Sequence, residues 1–111
     1  MAAETFVDTS GFYALLVAGD DRHAMAEQCL RKAASRRAGF VTTDYVLDET
    51  ATLLKARGHA SLLPRFFSII EGSSACRLEW TDSDRFWRAR EFLLRHADQP
   101  WSFTDCVSFC L

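Results

Sequence analysis

Lysine is nearly missing from this chain. Of its 13 basic residues 11 are arginine and 2 are lysine, set against 15 acids for a net charge of −2. That balance excludes a protein that wraps nucleic acid by bulk charge, though not an enzyme that touches RNA locally. Arginine brings a planar fork suited to phosphate or carboxylate. No apolar run approaches the roughly 18 residues that a membrane span needs. The N-terminus has no basic stretch followed by an apolar one, as a secretory signal would. The expectation is a soluble cytoplasmic protein with no membrane partner. The cysteines Cys29, Cys76, Cys106 and Cys110 show no CxxC pair, and no histidine lies near enough for a zinc knuckle. They read as small buried hydrophobes in a reducing compartment. There is no GxGxxG and no P-loop. His23, His59 and His96 complete no Ser/His/Asp or Cys/His pattern and read as surface residues.

Repeats, low-complexity tracts and linkers are also absent. What remains is an ordinary globular composition, 49% hydrophobic and 25% charged over 111 residues. One domain spanning 1–111 is expected. Thr5, Phe6 and Val7 read as a buried strand, followed by a helix over 11–17 with Ser10 as its cap. A second helix over 23–36 places Ala26, Cys29, Leu30 and Ala33 on one stripe, expected to be buried. A strand follows over 39–42. A helix over 45–57 is capped by Thr43 or Asp44 and stopped by Gly58. Another helix over 61–71 tolerates Pro64 in its first turn. The alternating segment 76–80 reads as the third strand. Thr81 to Asp84 has a capping-box pattern opening a fifth helix. Its buried face is Phe86, Ala89, Leu93 and Ala97, with Arg85, Arg88 and Arg95 outward. Ser102 to Asp105 opens a sixth helix, with Val107, Phe109 and Leu111 on it. Trp80, Trp87 and Trp101 could stack on bases, but aromatics at these spacings read first as core. Strands alternating with helices imply an α/β fold on a parallel sheet, whose sites form at the carboxyl ends of the strands.

Three acids hold the chemical interest. Asp8 directly follows the first strand, where it serves either as a turn residue or as a ligand or nucleophile. Asp48 and Glu49 are neighbours on a helix and point about 100° apart, so only one can face a common site. Glu49 lies between the core stripe and the outer face, with the reach to turn inward. Asp105 is the fourth residue of its Ser-x-x-Asp box and is equally suited to capping alone. A parallel sheet can bring all three to one pole. Clustered carboxylates repel each other without a cation, and hard oxygen ligands suit Mg²⁺ or Mn²⁺ rather than zinc. Such a site performs phosphodiester hydrolysis.

The segments around these acids resemble the motifs of PIN domains. Phe6-Val7-Asp8-Thr9-Ser10 with Phe12-Tyr13-Ala14-Leu15 looks like the first. Thr42-Thr43-Asp44-Tyr45-Val46-Leu47-Asp48-Glu49-Thr50 looks like the second, and Trp101-Ser102-Phe103-Thr104-Asp105-Cys106-Val107-Ser108-Phe109 like the third. They occur in order from Phe6 to Phe109 and are most similar to the VapC-type ribonuclease toxins of toxin–antitoxin pairs. The resemblance implies a three-layer α/β/α fold with a central parallel sheet. It implies Asp8, Glu49 and Asp105 as catalytic residues and Mg²⁺ or Mn²⁺ ligands. Thr9 and Ser10 would lie beside the metal, and Thr104 would support Asp105. The implied substrate is RNA (tRNA, rRNA or mRNA), and the implied partners are a cognate antitoxin and a second copy in a homodimer. Family members continue past the third motif through a further helical section and two strands flanking the first strand, often bringing a fourth acid. Relative to them the chain reads as C-terminally short, with those last strands expected to be missing. The first strand is therefore expected to expose an edge, and no motif promotes Asp98 to the fourth position.

Two other functions compete with a metal-dependent endoribonuclease. One is a catalytically inactive PIN-like remnant that binds an antitoxin or another partner. The other is a receiver-type phosphoryl-transfer domain with Asp8 as nucleophile, for which the expected lysine and paired acids are not evident.

Overall fold

The computed structural model describes residues 4–72 and 74–111. Three short strands, β1 (Glu4–Phe6), β2 (Gly39–Thr43) and β3 (Cys76–Glu79), form one parallel sheet in the order β1-β2-β3. Thr5 sits opposite Phe40 and Phe6 opposite Val41, while Val41 sits opposite Arg77 on the far side. Helices α1 (Thr9–Leu16) and α2 (His23–Ser35) connect β1 to β2. Helices α3 (Asp44–Ala56) and α4 (Leu63–Gly72), separated by a 3-10 turn at Ala60–Leu62, connect β2 to β3. Helices α5 (Ser83–Arg95) and α6 (Phe103–Phe109) follow. Parallel strands need such crossovers, so helices flank the sheet. The α/β parallel-sheet fold expected from the sequence is the one found.

Burial explains which helix faces turn inward. Phe12, Leu16 and Val17 pack with Val46 and Leu54 of α3 and Phe66 of α4. A second cluster joins Ala89 of α5 to Cys106 and Val107 of α6, with Tyr45, Phe92, Trp101 and Phe103 around it. Helix α3 thus contributes to both clusters. It begins at Thr43, whose side-chain oxygen accepts from Val46 N at 3.2 Å. It ends at Gly58, whose φ of 80° is the left-handed conformation that closes a helix without a Cβ clash.

Several local expectations are corrected. Helix α1 is capped by Asp8 rather than Ser10, which is its second residue. Helix α5 is capped by Asp82, because the Thr81 hydroxyl donates instead to Asp44 Oδ1 at 2.6 Å. The stripe on α2 is not buried: Cys29 and Leu30 are exposed and Ala26 and Ala33 half-buried. Ala97 lies beyond the end of α5 and is exposed. Arg85 turns in rather than out, 3.6 Å from Glu79, and its buried Nε finds no partner. Trp80 and Trp87 are 70% and 58% exposed, so only Trp101 packs, stacked on Phe92. Phe109 and Leu111 are exposed. Of the histidines, none is fully exposed; His23 Nδ1 lies 2.7 Å from the Ala14 carbonyl. These misses share one cause. Periodicity shows that a helix has an apolar stripe, but not whether anything covers it.

Among the described residues β1 pairs on one side only, with β2. No helix among them is long and apolar enough to cross a membrane.

Candidate active site

Asp8 is carried to the end of β1 by the sheet itself. The ladder runs one residue past the strand, with Val7 N donating to Val41 O at 2.9 Å. Thr42 Oγ1 then donates to Val7 O at 2.8 Å and fixes the strand's exit. Asp8 turns the chain into α1. Its Oδ1 accepts from Gly11 N and from Ser10 Oγ, both at 2.9 Å. Glycine at position 11 suits this turn: a Cβ there would stand 3.1 Å from Val7 Cγ1 and 3.4 Å from Asp8 Oδ1.

Glu49 projects from the second turn of α3, half-buried, whereas Asp48 faces solvent. The buried Thr9 holds it: Thr9 Oγ1 donates to Glu49 Oε1 at 2.6 Å. Asp105 lies in the first turn of α6, inside a complete capping box. Asp105 N donates to Ser102 Oγ at 3.0 Å, and Ser102 N donates to Asp105 Oδ2 at 2.9 Å. Each acid therefore commits one carboxylate oxygen to a neutral donor. Among the described residues the other oxygen of each has no hydrogen-bond partner, and none of the three forms an ion pair.

All three acids line one cleft of about 510 Å³. Thr9, Ser10 and Thr104 line it with them. Thr104 stands beside Asp105 without a side-chain hydrogen bond to it; its carbonyl accepts from Ser108 Oγ at 3.0 Å. Asp98 is not in the cleft; its Oδ2 accepts from Gln99 Nε2 at 3.4 Å. The sequence reading missed other residues in the lining. Asp20 and Asp21 were legible only as a helix break, and Tyr13, Arg22 and Arg57 carried no motif signal beyond Tyr13's place in the first one.

The electrostatics narrow the chemistry. Five carboxylates face two guanidiniums in this cleft, an excess of negative charge that a cation relieves. Neither Lys32 nor Lys55 lines it, so Asp8 has no lysine partner of the kind a receiver domain needs. The Cys106 thiol behind Asp105 is pushed up, first by burial, then by the Asp105 carboxylate and Cys110. It stays protonated at neutral pH and is no nucleophile.

The donor set fits a hard divalent cation in kind, with three uncommitted carboxylate oxygens and nearby hydroxyls. Among the described residues no three acidic, histidine or cysteine side chains converge closely enough to encircle one ion. Mg²⁺ does not require that, since it usually keeps several waters and takes one or two carboxylates directly.

The hydrogen bond from Thr9 is the support most open to test. Thr9→Val keeps the shape and removes the donor, leaving Glu49 free to swing. Metal affinity, read by titrating the metal dependence of activity, is expected to fall about 10- to 100-fold, the usual effect of losing such a support. A variant with unchanged metal dependence would show that Glu49 is held by other means.

The PIN domain model matches residues 5–111. The chain is 39% identical over 107 residues to the 23S rRNA-specific endonuclease VapC20 of Mycobacterium tuberculosis, in the CDC 1551 / Oshkosh and the H37Rv strains alike. That alignment covers 96% of this chain and 78% of each relative. The crystal structure of M. tuberculosis VapC20, a sarcin–ricin loop cleaving toxin, superposes with a TM-score of 0.81 at 37% identity. It covers 96% of this chain and 78% of that one.

Proposed function

Since this chain belongs to the PIN domain family, we propose that it is a metal-dependent endoribonuclease, the toxin of a type II toxin–antitoxin pair. The observation that carries this reading is the cleft itself. Asp8, Glu49 and Asp105 reach it from three separate elements, each with one carboxylate oxygen uncommitted. These three would hold Mg²⁺ or Mn²⁺. A divalent cation supplies a lowered water pKa and neutralises charge at the phosphate. The chain's own part is preorganisation. Thr9 fixes the rotamer of Glu49, the Asp8 cap fixes its carboxylate against α1, and the capping box fixes Asp105. Little rearrangement is then needed when charge develops on the phosphate.

The substrate in this reading is RNA. Ribosomal RNA is favoured over tRNA or mRNA, because the relatives are a 23S rRNA-specific endonuclease and a sarcin–ricin loop cleaving toxin. A single domain over 1–111, a cytoplasmic site of action, a homodimer and a cognate antitoxin complete the proposal.

The test is cleavage of total RNA and of a labelled sarcin–ricin-loop hairpin in Mg²⁺ or Mn²⁺, repeated in EDTA. Cleavage that stops on chelation is the expected result, and cleavage that persists in EDTA counts against the carboxylate site. A folded chain that cleaves nothing would favour the second reading, an inactive domain that binds a protein partner. One feature favours that alternative: an apolar groove between β1 and α2, lined by Phe6, Met25, Cys29 and Leu30.

A further inference from the structure

RNA carries a charge at every phosphate, and the cleft that would receive it is rich in carboxylates. The whole chain is itself net negative at −2, so long-range attraction cannot bring RNA in. Local cations must do so, and two arginines line the cleft, Arg22 and Arg57.

Arg57 is distinguished by what holds it. It sits at the C-cap of α3, two turns beyond Glu49, and is exposed. Its guanidinium carbon lies 5.1 Å from the centroid of the Tyr13 ring. Tyr13 is itself half-buried on α1 and packed edge-on against His59, 5.9 Å between centroids. Stacking engages the face of the guanidinium and leaves its N–H edge free. Among the described residues no carboxylate pairs with Arg57 and no hydrogen bond consumes its guanidinium, despite five acids in the same cleft. A role limited to the helix macrodipole would be served by Lys55, already in the last turn of α3. A preoriented, unpaired fork at the rim of an acidic site suits an anion arriving from outside.

We propose that Arg57, stacked on Tyr13 at the rim of the acid-lined cleft, binds a non-scissile phosphate of the RNA and so aligns the scissile phosphate over Asp8, Glu49 and Asp105. The proposal rests on the nuclease reading and deepens it. Arg57 is a substrate-binding residue, and Tyr13 is a positioning residue that acts through it.

The experiment measures KM and kcat on the labelled hairpin, and its Kd against salt in a Glu49→Gln background that does not turn over. Arg57→Ala is expected to raise KM and Kd about 10-fold or more, the scale of one charge-assisted hydrogen bond, with a smaller effect on kcat. The slope of log affinity against log salt should fall by roughly 0.7 to 1, the loss of one phosphate contact. Arg57→Gln, which keeps side-chain length, should repeat both effects if Arg57→Ala is poorly folded. Arg57→Lys should keep most of the salt slope yet still weaken binding, because the fork and the stack are lost. Tyr13→Leu should raise KM, and Tyr13→Phe, which keeps a ring face under Arg57, should raise it less. An unchanged KM and salt slope in Arg57→Ala and Arg57→Gln would overturn the proposal. So would a raised KM with an unchanged slope, which marks a merely structural role. If the parent chain neither binds nor cleaves total RNA or the hairpin, the nuclease reading fails and this proposal falls with it. Cleavage by the parent chain with unaffected Arg57 variants overturns the proposal alone.

Discussion

Replacing Glu49 by glutamine is expected to lower RNA cleavage by at least about 100-fold, the scale of removing one preorganised charge-stabilising group, while leaving the fold intact. Glu49 is the cleanest of the three acids for this purpose. Asp8 and Asp105 each accept backbone N–H bonds at the start of a helix. Removing such a cap costs about 1 kcal/mol, so a loss of activity there mixes chemistry with stability. Among the described residues the Glu49 side chain accepts no backbone bond; its partner is the Thr9 hydroxyl at 2.6 Å. Glutamine preserves the size and an oxygen that can accept from Thr9. Only the charge disappears, and with it the affinity for a hard cation. Initial rates on the labelled hairpin, together with circular dichroism melts of both proteins, make the comparison. Cleavage within a few-fold of the parent chain would remove Glu49 from the site.

The largest effect on stability is expected at Phe66. It is fully buried and meets Phe12 edge-to-face with ring centroids 5.4 Å apart, so it joins α4 to α1 across the main core. Phe66→Ala should cost about 3–5 kcal/mol through lost burial and an uncollapsed cavity. Domains have only about 5–15 kcal/mol in total, and small ones stand near the low end. At roughly 4–8 °C per kcal/mol for a domain near this size, the melting temperature should drop by roughly 15 °C or more. The neighbouring Phe67 is 42% exposed and serves as the control, because its truncation vacates little core space. Equal losses at the two positions in a thermal or urea melt would show that the core is not organised around Phe66.

The local signals in the sequence were those that depend on a few adjacent residues. The Ser102 to Asp105 capping box and the stop at Gly58 are near-neighbour chemistry and appear as expected, and the strand read over 76–80 is found one residue shorter, at Cys76–Glu79. The acid at the end of the first strand was legible for the same reason; helix geometry said only that one of Asp48 and Glu49 could face a common site, and the resemblance of the second motif chose Glu49. The misses were all questions of what covers what. Cys29 and Leu30 lie on an apolar stripe in sequence, yet they are exposed, and α2 has no buried residue. Arg85 was placed outward by periodicity and turns toward Glu79 instead. Thr81 looked like a cap and became a tie to Asp44, a partner 37 residues away.

The sequence by itself determined the alternation of strands and helices, the parallel sheet that alternation requires, and the three motifs that place acids at one pole. Those follow from backbone geometry and side-chain period, which are local. Only the tertiary structure decided the company those acids keep. That Thr9 anchors Glu49 from 40 residues away and that Arg57 lies on Tyr13 at the cleft rim are long-range contacts. Such contacts are set by how packed helices bring distant side chains together, and no spacing along the chain encodes them.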